Sequence, residues 1–221
     1  MVMKAKTFLY AGKLPQAFYL QQNVVKLAAS LLGKVLVTCF DEQLTAGRIV
    51  ETEAYNGVRD KASHAWNGRR TARTEIMYAA GGVAYVYLCY GIHHLFNVVT
   101  GDNEVPQAVL VRSMEPVTGI EYMMKRTGKT SVDHSLTRGP GNVTKALGIT
   151  THHSGMDLQT DTLFLADDGY IIKPSQIAAT ARIGVDYAGD DALLPYRFIV
   201  KDSPYVSGRK VKENSQFKNK K

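Results

Sequence analysis

The sequence has few cysteines and lacks long apolar segments. Cys39 and Cys89 are the only cysteines in 221 residues, too few for a disulfide framework or a cysteine-based zinc site. No apolar run approaches the roughly 20 residues needed to span a bilayer. Residues 1–6 lack the apolar core and cleavage site of a signal peptide. We therefore expect no membrane association and a reducing, cytoplasmic compartment.

Motifs for common cofactors are also missing. The chain has neither a P-loop nor a strand-linked glycine-rich dinucleotide motif. Two adjacent histidine pairs, His93-His94 and His152-His153, resemble metal ligands. Neighbours on a strand point to opposite faces, so neither pair can chelate a metal unaided. We expect no metal and no cofactor.

The net positive charge of the chain comes from two segments. The net charge is +7, of which residues 207–221 contribute +5. Residues 59–73 contribute a further +4, so the remainder is slightly acidic. Such a local patch favours a polyanionic partner more than bulk charge does. The alternative is that residues 59–73 form a solvated loop and residues 207–221 a frayed tail, neither of which binds a partner. For the tail, this alternative is favoured.

Hydrophobic periodicity predicts short antiparallel strands with a few helices, typical of an α+β fold. Helices are predicted at 23–32, 116–124 and 140–147, hairpins at 34–55, 84–100 and 163–172, and strands at 107–114 and 196–200. Arg138 precedes a glycine-rich helix start that could bind a phosphate. We expect one domain over residues 23–207, after a poorly defined segment (1–22) and before a flexible basic tail (208–221).

One predicted strand, residues 47–55, places two glutamates among apolar neighbours. Alternation puts Ile49, Glu51, Glu53 and Tyr55 on one face, where buried carboxylates require a partner or a task. A solvated edge strand is the alternative. The two glutamates would stand about 6.6–6.8 Å apart, within the range of inverting glycosidases. However, both project the same way and cannot flank a sugar bond, so one carboxylate that activates a water is the better hypothesis.

Aromatic residues cluster in the sequence after this strand. Six rings fall within about forty residues of the acidic strand and the basic loop (residues 58–73): Tyr55, His64, Trp66, Tyr85, Tyr87 and Tyr90. Tyrosine is a good strand former, so ordinary sheet packing is one interpretation. Flat rings, a carboxylate and nearby cations are also the parts needed to accept a flipped nucleobase.

Several motifs, in order, resemble the alkyladenine (3-methyladenine) DNA glycosylase family over roughly residues 27–207. They are Arg48-Ile49-Val50-Glu51-Thr52-Glu53-Ala54-Tyr55, Ala62-Ser63-His64, Tyr85-Val86-Tyr87, Tyr90-Gly91, Asn97-Val98-Val99, Leu110-Val111-Arg112, Glu115-Pro116, Gly139-Pro140, Ala181-Arg182-Ile183-Gly184 and Ser203-Pro204-Tyr205-Val206-Ser207. The resemblance implies a single compact domain with a curved, open-barrel-like antiparallel sheet and flanking helices. It also implies a monomer that binds double-stranded DNA through the minor groove, without a metal or redox cofactor.

The resemblance further assigns roles to the acidic strand and its neighbours. Glu53 resembles the general base of the family, and Arg112 resembles the arginine that holds the attacking water and the flipped nucleotide's backbone. Tyr55 and His64 would line one side of the base pocket and Tyr87 the other.

Outside the rings, the resemblance implies further contacts with DNA. Asn97 would exclude guanine by crowding its exocyclic amino group, and Tyr90 would fill the gap left in the duplex. Contacts with the DNA backbone are expected from four arginines: Arg69, Arg70, Arg73 and Arg138.

These roles together predict a monofunctional DNA N-glycosylase that excises alkylated, and also deaminated, purines in base-excision repair. A non-catalytic DNA- or RNA-binding module is the alternative, and retention of Glu53 beside Arg112 argues against it. The sequence departs from the family pattern at residues 71–74, 79–82 and 104–107, outside the predicted pocket.

Overall fold

A computed structural model describes residues 11–208. Its eight strands are β1 (Val35–Phe40), β2 (Gln43–Tyr55), β3 (Ala84–Cys89), β4 (His93–Thr100), β5 (Gln107–Thr118), β6 (Leu163–Ala166), β7 (Ile177–Thr180) and β8 (Arg197–Val200). They form one sheet in the order β3-β4-β5-β2-β1-β6, and β8 pairs with both β2 and β7. Every pair is antiparallel. The sheet curls into a half-barrel.

Within the described residues, the α-helices that flank the sheet are α1 (Gln16–Tyr19), α2 (Val24–Ser30), α3 (Ile120–Thr127) and α4 (Pro140–Leu147). Asn23 caps the start of α2, because its side chain accepts a hydrogen bond from the Lys26 backbone N–H. Helix α2 is tied to the sheet by the Thr52 hydroxyl, which donates to the Ala28 carbonyl at 2.8 Å. Apolar side chains of α2, α4 and the sheet form the main core. None of the helices among residues 11–208 is long and apolar enough to cross a membrane.

Strand β2 is the centre of the sheet because it pairs with three other strands. Its first half pairs with β1 through a two-residue turn, Asp41-Glu42, in which both residues have positive φ (49° and 61°). Its second half lies between β5 and β8. Glu51 and Glu53 therefore occupy an interior strand and not the solvated edge strand that was the alternative.

β-bulges modify the predicted alternation on β2. Register shifts against β5 occur between Ile49 and Glu51 and between Glu51 and Thr52. Ile49 consequently packs in the main core together with Ala54. The prediction that Ile49 shares a face with the two glutamates is wrong, because a bulge shifts the side-chain period.

The predicted helix at 116–124 is wrong at its start. Strand β5 continues through Pro116 to Thr118, and α3 begins only at Ile120. Proline is tolerated there because β4 pairs only with residues 107–110 of β5, which leaves the far half of β5 with no β4 partner. Helix α3 ends at Thr127, and Gly128 caps it in the left-handed conformation.

The hairpin predicted at 163–172 does not form. Leu163–Ala166 pairs with β1, and residues 170–172 are not in a strand. Asp168 instead forms an ion pair with Arg48 at 2.6 Å, and the Tyr170 ring covers the same guanidinium. These long-range contacts replace the turn of the predicted hairpin.

The sheet, its flanking helices and one continuous main core confirm the predicted α+β class and single compact domain. Leu14 and Tyr19 are buried in that core, ahead of the predicted boundary at residue 23. Residues 1–10 and 209–221, which include nearly all of the predicted basic tail, lie outside the described part of the chain.

Candidate active site

A cavity of about 590 Å³ opens between the β3–β4 hairpin, β5, the N-terminus of α4 and the segment after β7. Its wall includes the predicted pocket residues Tyr55, His64, Tyr87, Asn97 and Arg112. Such a volume falls within the range of ligand pockets. The structure therefore gathers side chains that lie up to 57 residues apart in the sequence (Tyr55 to Arg112).

Glu53 lies behind the cavity wall and has no solvent exposure. One carboxylate oxygen, Oε1, accepts a hydrogen bond from the backbone N–H of Ile183 at 2.8 Å. The other, Oε2, accepts from the Tyr55 hydroxyl at 2.9 Å and from Arg112 Nη1 at 3.3 Å. All three partners line the cavity and are donors, which suits a buried group that can only accept.

Arg112 joins Glu53 to a second buried carboxylate, that of Glu51. Arg112 is only 8% exposed, although it is a charged residue. Burial alone would lower its pKa, but the negative charges of Glu53 and Glu51 outweigh this effect and raise the pKa above its usual value. Arg112 therefore stays charged within reach of the cavity.

Glu51 is as buried as Glu53, and like Glu53 it does not line the cavity. Burial raises its pKa, but the charges of Arg112 and Arg197 and the donors of Ser207 and Ser113 lower the pKa below its usual value. Both of its oxygens are occupied by these donors. This arrangement leaves Glu51 no position from which to activate a water in the cavity.

His64 packs with Tyr87 and Tyr85. The ring centroids of His64 and Tyr87 are 4.6 Å apart at an interplanar angle of 76°. His64 Nδ1 lies 2.8 Å from the Tyr85 hydroxyl. The predicted grouping of His64 with Tyr55, opposite Tyr87, is therefore wrong, because the bond to Tyr85 fixes His64 on the β3 side.

His64 is uncharged near neutral pH. Burial, followed by the positive charges of Arg73 and Arg69, lowers its pKa to about 4. Burial raises the pKa of Tyr85 to about 12, so the tyrosine is protonated near neutral pH. Either group can donate in the bond between its hydroxyl and His64 Nδ1, depending on the tautomer of the imidazole.

Tyr55 forms the other side of the cavity and is held from behind by Arg182. The guanidinium of Arg182 lies 4.9 Å from the Tyr55 ring centroid and 5.3 Å from that of Tyr196. Arg182 also makes a bidentate ion pair with Asp60, at 2.5 and 2.8 Å, that is almost wholly buried. Burial, and then the charge of Glu53, raises the pKa of Tyr55, so its hydroxyl remains a donor.

Asn97 is 3% exposed and borders the cavity. Its amide group donates to the carbonyls of Tyr85 at 3.1 Å and Leu95 at 3.3 Å. These bonds fix the side chain against the strand pair, so Asn97 presents a rigid surface to any ligand in the cavity.

Tyr90 projects from the tip of the β3–β4 hairpin, at the rim of the cavity. Its side chain is 88% exposed. The turn is closed by a hydrogen bond from the Ile92 N–H to the Cys89 carbonyl, and both central residues, Tyr90 and Gly91, have positive φ (50° and 73°). A bulky residue in this conformation is uncommon and points to a functional reason.

The four arginines predicted to contact DNA differ in their surroundings. Arg73 lines the cavity, and Arg69 lines a second, smaller pocket beside His64. Arg70 is engaged by Glu75 at 2.7 Å and Glu104 at 2.5 Å.

Arg138 lies next to the N-terminus of α4, which borders the cavity through residues 139–142. It donates to the Pro204 carbonyl, from Nε at 3.1 Å. Its guanidinium is thus partly used within the protein.

Residues 11–208 contain no group of three or more His, Cys, Asp or Glu side chains that could hold a metal ion. The histidine pairs have other uses. Nδ1 of His94 accepts from the Thr151 N–H, and Nδ1 of His153 accepts from the Thr150 N–H.

Several residues of the site were not predicted from the sequence. The roles of Arg182, the Ile183 backbone N–H, Arg197 and Ser207 depend on contacts between distant segments, which no periodic pattern predicts. Arg182, Ile183 and Ser207 do lie within the motifs that carry the family resemblance. That membership was the only signal available for them.

Comparisons with known proteins identify the family of this chain. The family model described as Methylpurine-DNA glycosylase (MPG) matches residues 17–204. A relative from Chlamydia pneumoniae is 45% identical over 197 residues, which cover 89% of this chain and 98% of the relative. One from Bacillus cereus (strain G9842) is 45% identical over 201 residues, which cover 87% and 98%. Both carry the name "Putative 3-methyladenine DNA glycosylase". The chain therefore belongs to the methylpurine-DNA glycosylase family and is a DNA glycosylase that hydrolyses N-glycosidic bonds.

Proposed function

We propose that this protein removes alkylated purines, 3-methyladenine among them, from double-stranded DNA by base flipping and hydrolysis. The single observation that carries the proposal is the buried carboxylate of Glu53, bound to Tyr55 and Arg112 at a cavity walled by aromatic rings. The names of the relatives support the same substrate class.

The cavity suits a purine that has been rotated out of the duplex. Tyr55 on one side and His64 with Tyr87 on the other offer flat surfaces for stacking. A purine alkylated at N3 or N7 carries a positive charge, and cation–π attraction to tyrosine contributes roughly 0.5–2 kcal/mol. Weakened pairing and stacking also make a damaged base easier to extrude.

Hydrolysis requires a water between Glu53 and the sugar. Glu53 takes a proton from this water as its oxygen attacks C1′, while the N-glycosidic bond breaks and its electron pair leaves with the purine. General base catalysis of this kind contributes about 10²–10⁴-fold. Among the described residues, Oε1 of Glu53 accepts only the hydrogen bond from the Ile183 N–H, and a carboxylate oxygen has two lone pairs, so one lone pair of Oε1 is available to a water.

The residues that line the cavity support a monofunctional enzyme. None of them, among the described residues, is a lysine. A Schiff base with the sugar needs a nearby amine, so water is the nucleophile and the DNA strand remains uncut.

Two further residues serve the selection and extrusion of the base. Tyr90, exposed at the rim, enters the duplex and fills the space that the flipped nucleotide leaves. Asn97, fixed by its bonds to β3 and β4, restricts the exocyclic amino group of guanine. Deaminated purines such as hypoxanthine lack that group and fit the same cavity.

A duplex treated with a methylating agent tests the proposal. We expect release of free methylpurines, abasic sites in otherwise intact strands, and no covalent adduct on addition of borohydride. An unmethylated duplex is the control. Tight binding of methylated DNA without release of bases would identify a non-catalytic nucleic-acid-binding module, and a borohydride adduct would refute the monofunctional mechanism.

A further inference from the structure

The buried cluster behind the cavity contains two carboxylates and two guanidinium groups. Arg112 uses each of its nitrogens there: Nε contacts Glu51 at 3.2 Å, Nη1 contacts Glu53 at 3.3 Å and Nη2 contacts the Ser207 hydroxyl at 3.3 Å. Arg197 donates from Nε to Glu51 at 2.7 Å. The four formal charges cancel, which makes their burial tolerable.

Ser207 devotes all of its polar groups to this cluster. Its N–H donates to Glu51 Oε2 at 2.7 Å, and its hydroxyl donates to Oε1 at 2.9 Å. Its carbonyl accepts from Arg197 Nη2 at 2.7 Å. The segment that ends at Ser207 is thereby held against the acidic strand, 156 residues away in sequence.

Glu51 competes with Glu53 for Arg112. A planar guanidinium pairs most strongly with a carboxylate through two parallel hydrogen bonds. Arg112 makes only one such bond to Glu53 because Nε is held by Glu51 and Nη2 by Ser207. Without these two partners, Arg112 could turn and occupy both oxygens of Glu53, including the position that a water needs.

We propose that Glu51 and Ser207 are positioning residues that hold Arg112 in a single contact with Glu53 and so keep the Glu53 carboxylate available to water. The role of Glu53 that this requires rests on the proposed function. Glu51 itself touches neither substrate nor water.

Removing the charge of Glu51 has a defined effect on the pH dependence of excision. The charged and titratable groups around Glu53, besides Glu51, are Tyr55 on β2, Tyr87 on β3, Arg112 on β5, Arg197 on β8, and Arg182 and Tyr187 from the segment after β7. Loss of one negative charge leaves this set more positive, and Arg112 turns toward Glu53. Both changes place more positive charge beside the Glu53 carboxylate, and we expect this charge to move the onset of excision to lower pH.

The test is single-turnover release of methylpurines from methylated duplex DNA across pH, with Glu51→Gln and Ser207→Ala. We expect Glu51→Gln to lower the plateau rate by about 10²-fold, the loss typical of roughly 1 Å of misplacement. Its acid limb should move to lower pH. Ser207→Ala keeps the backbone contact and should shift both quantities in the same direction by less. Asp168→Asn, which breaks the distant ion pair with Arg48, is the control for lost stability.

An unmoved acid limb in both variants, with or without a lower rate, would overturn the proposal, because a purely structural defect scales the rate at every pH. A crystal structure of Glu51→Gln supplies a readout that does not depend on activity. Two hydrogen bonds from Arg112 to Glu53 would support the proposal, and an unchanged single contact would refute it. Failure of the wild-type protein to release methylpurines would instead count against the proposed function.

Discussion

Two glutamates two positions apart on β2 have different surroundings. Both are wholly buried, but the donors to Glu53 all line the cavity, whereas those to Glu51 include Arg197 and Ser113, which do not. The two carboxylates therefore differ less in burial than in which side of Arg112 they occupy, and this difference is why Glu53 is the proposed base.

At the same scale, His64 makes stability depend on pH. Its pKa is about 4 in the folded protein against 6.5 ordinarily. Between these values the unfolded chain binds a proton that the folded protein does not, so the free energy of unfolding falls as pH falls through this window. We expect His64→Gln to lose less stability than the wild type between about pH 6.5 and 4, as measured by urea unfolding. Parallel losses in the two proteins would contradict this assignment.

At the scale of elements, the turn of the β3–β4 hairpin exposes Tyr90 in a backbone conformation that lowers the stability of the protein. A non-glycine residue with positive φ costs about 1–2 kcal/mol. Tyr90→Gly should therefore leave the free energy of unfolding unchanged or raise it by up to about 1 kcal/mol, while excision falls because the wedge is lost. Tyr170→Ala, which removes another exposed ring, controls for a general loss of aromatic surface. Wild-type excision by Tyr90→Gly would rule out the wedge.

The segment after β7 is coupled to the base cavity through one ion pair. Asp60 and Arg182 have side-chain exposures of 1% and 0%, and Arg182 supports the Tyr55 ring. Asp60→Asn leaves a buried charge uncompensated, which costs about 3–5 kcal/mol. We expect this loss in denaturant unfolding. Asp133→Asn, at an exposed pair with Lys129, should cost less than about 1 kcal/mol; equal losses would disprove the coupling.

For the whole molecule, the distribution of free arginines predicts which positive charges bind DNA. Arg73 is exposed at the cavity, whereas Arg70 is engaged by two glutamates. Arg73→Ala should weaken binding and make the slope of log K against log salt shallower by about 0.9, one phosphate contact. Arg70→Ala should change the slope less. Equal changes in titrations at several salt concentrations would show that the ion pairs of Arg70 open on binding.

Much of the secondary structure can be predicted from local sequence patterns, and the predictions that failed share a cause. The β1–β2 hairpin, strand β4 and the shared face of Glu53 and Tyr55 follow from period and turn chemistry. Pro116 misled because proline starts helices as readily as it occupies an unpaired strand edge. The burial of Arg112 depends on Glu51, 61 residues away, and on Ser207. Such compensation between distant segments leaves no periodic trace in the sequence.

The central claim is that Glu53 activates the water that cleaves the N-glycosidic bond. Glu53→Gln keeps the size of the side chain, and its carbonyl oxygen can still accept from Tyr55 or from Ile183, but the amide cannot take a proton. The most direct measurement is the single-turnover rate of methylpurine release by this variant, with binding to the same methylated duplex measured in parallel. We expect the rate of methylpurine release by Glu53→Gln to be lower than that of the wild type by at least about 10²-fold, with nearly unchanged binding to the duplex. Excision at the wild-type rate would contradict it.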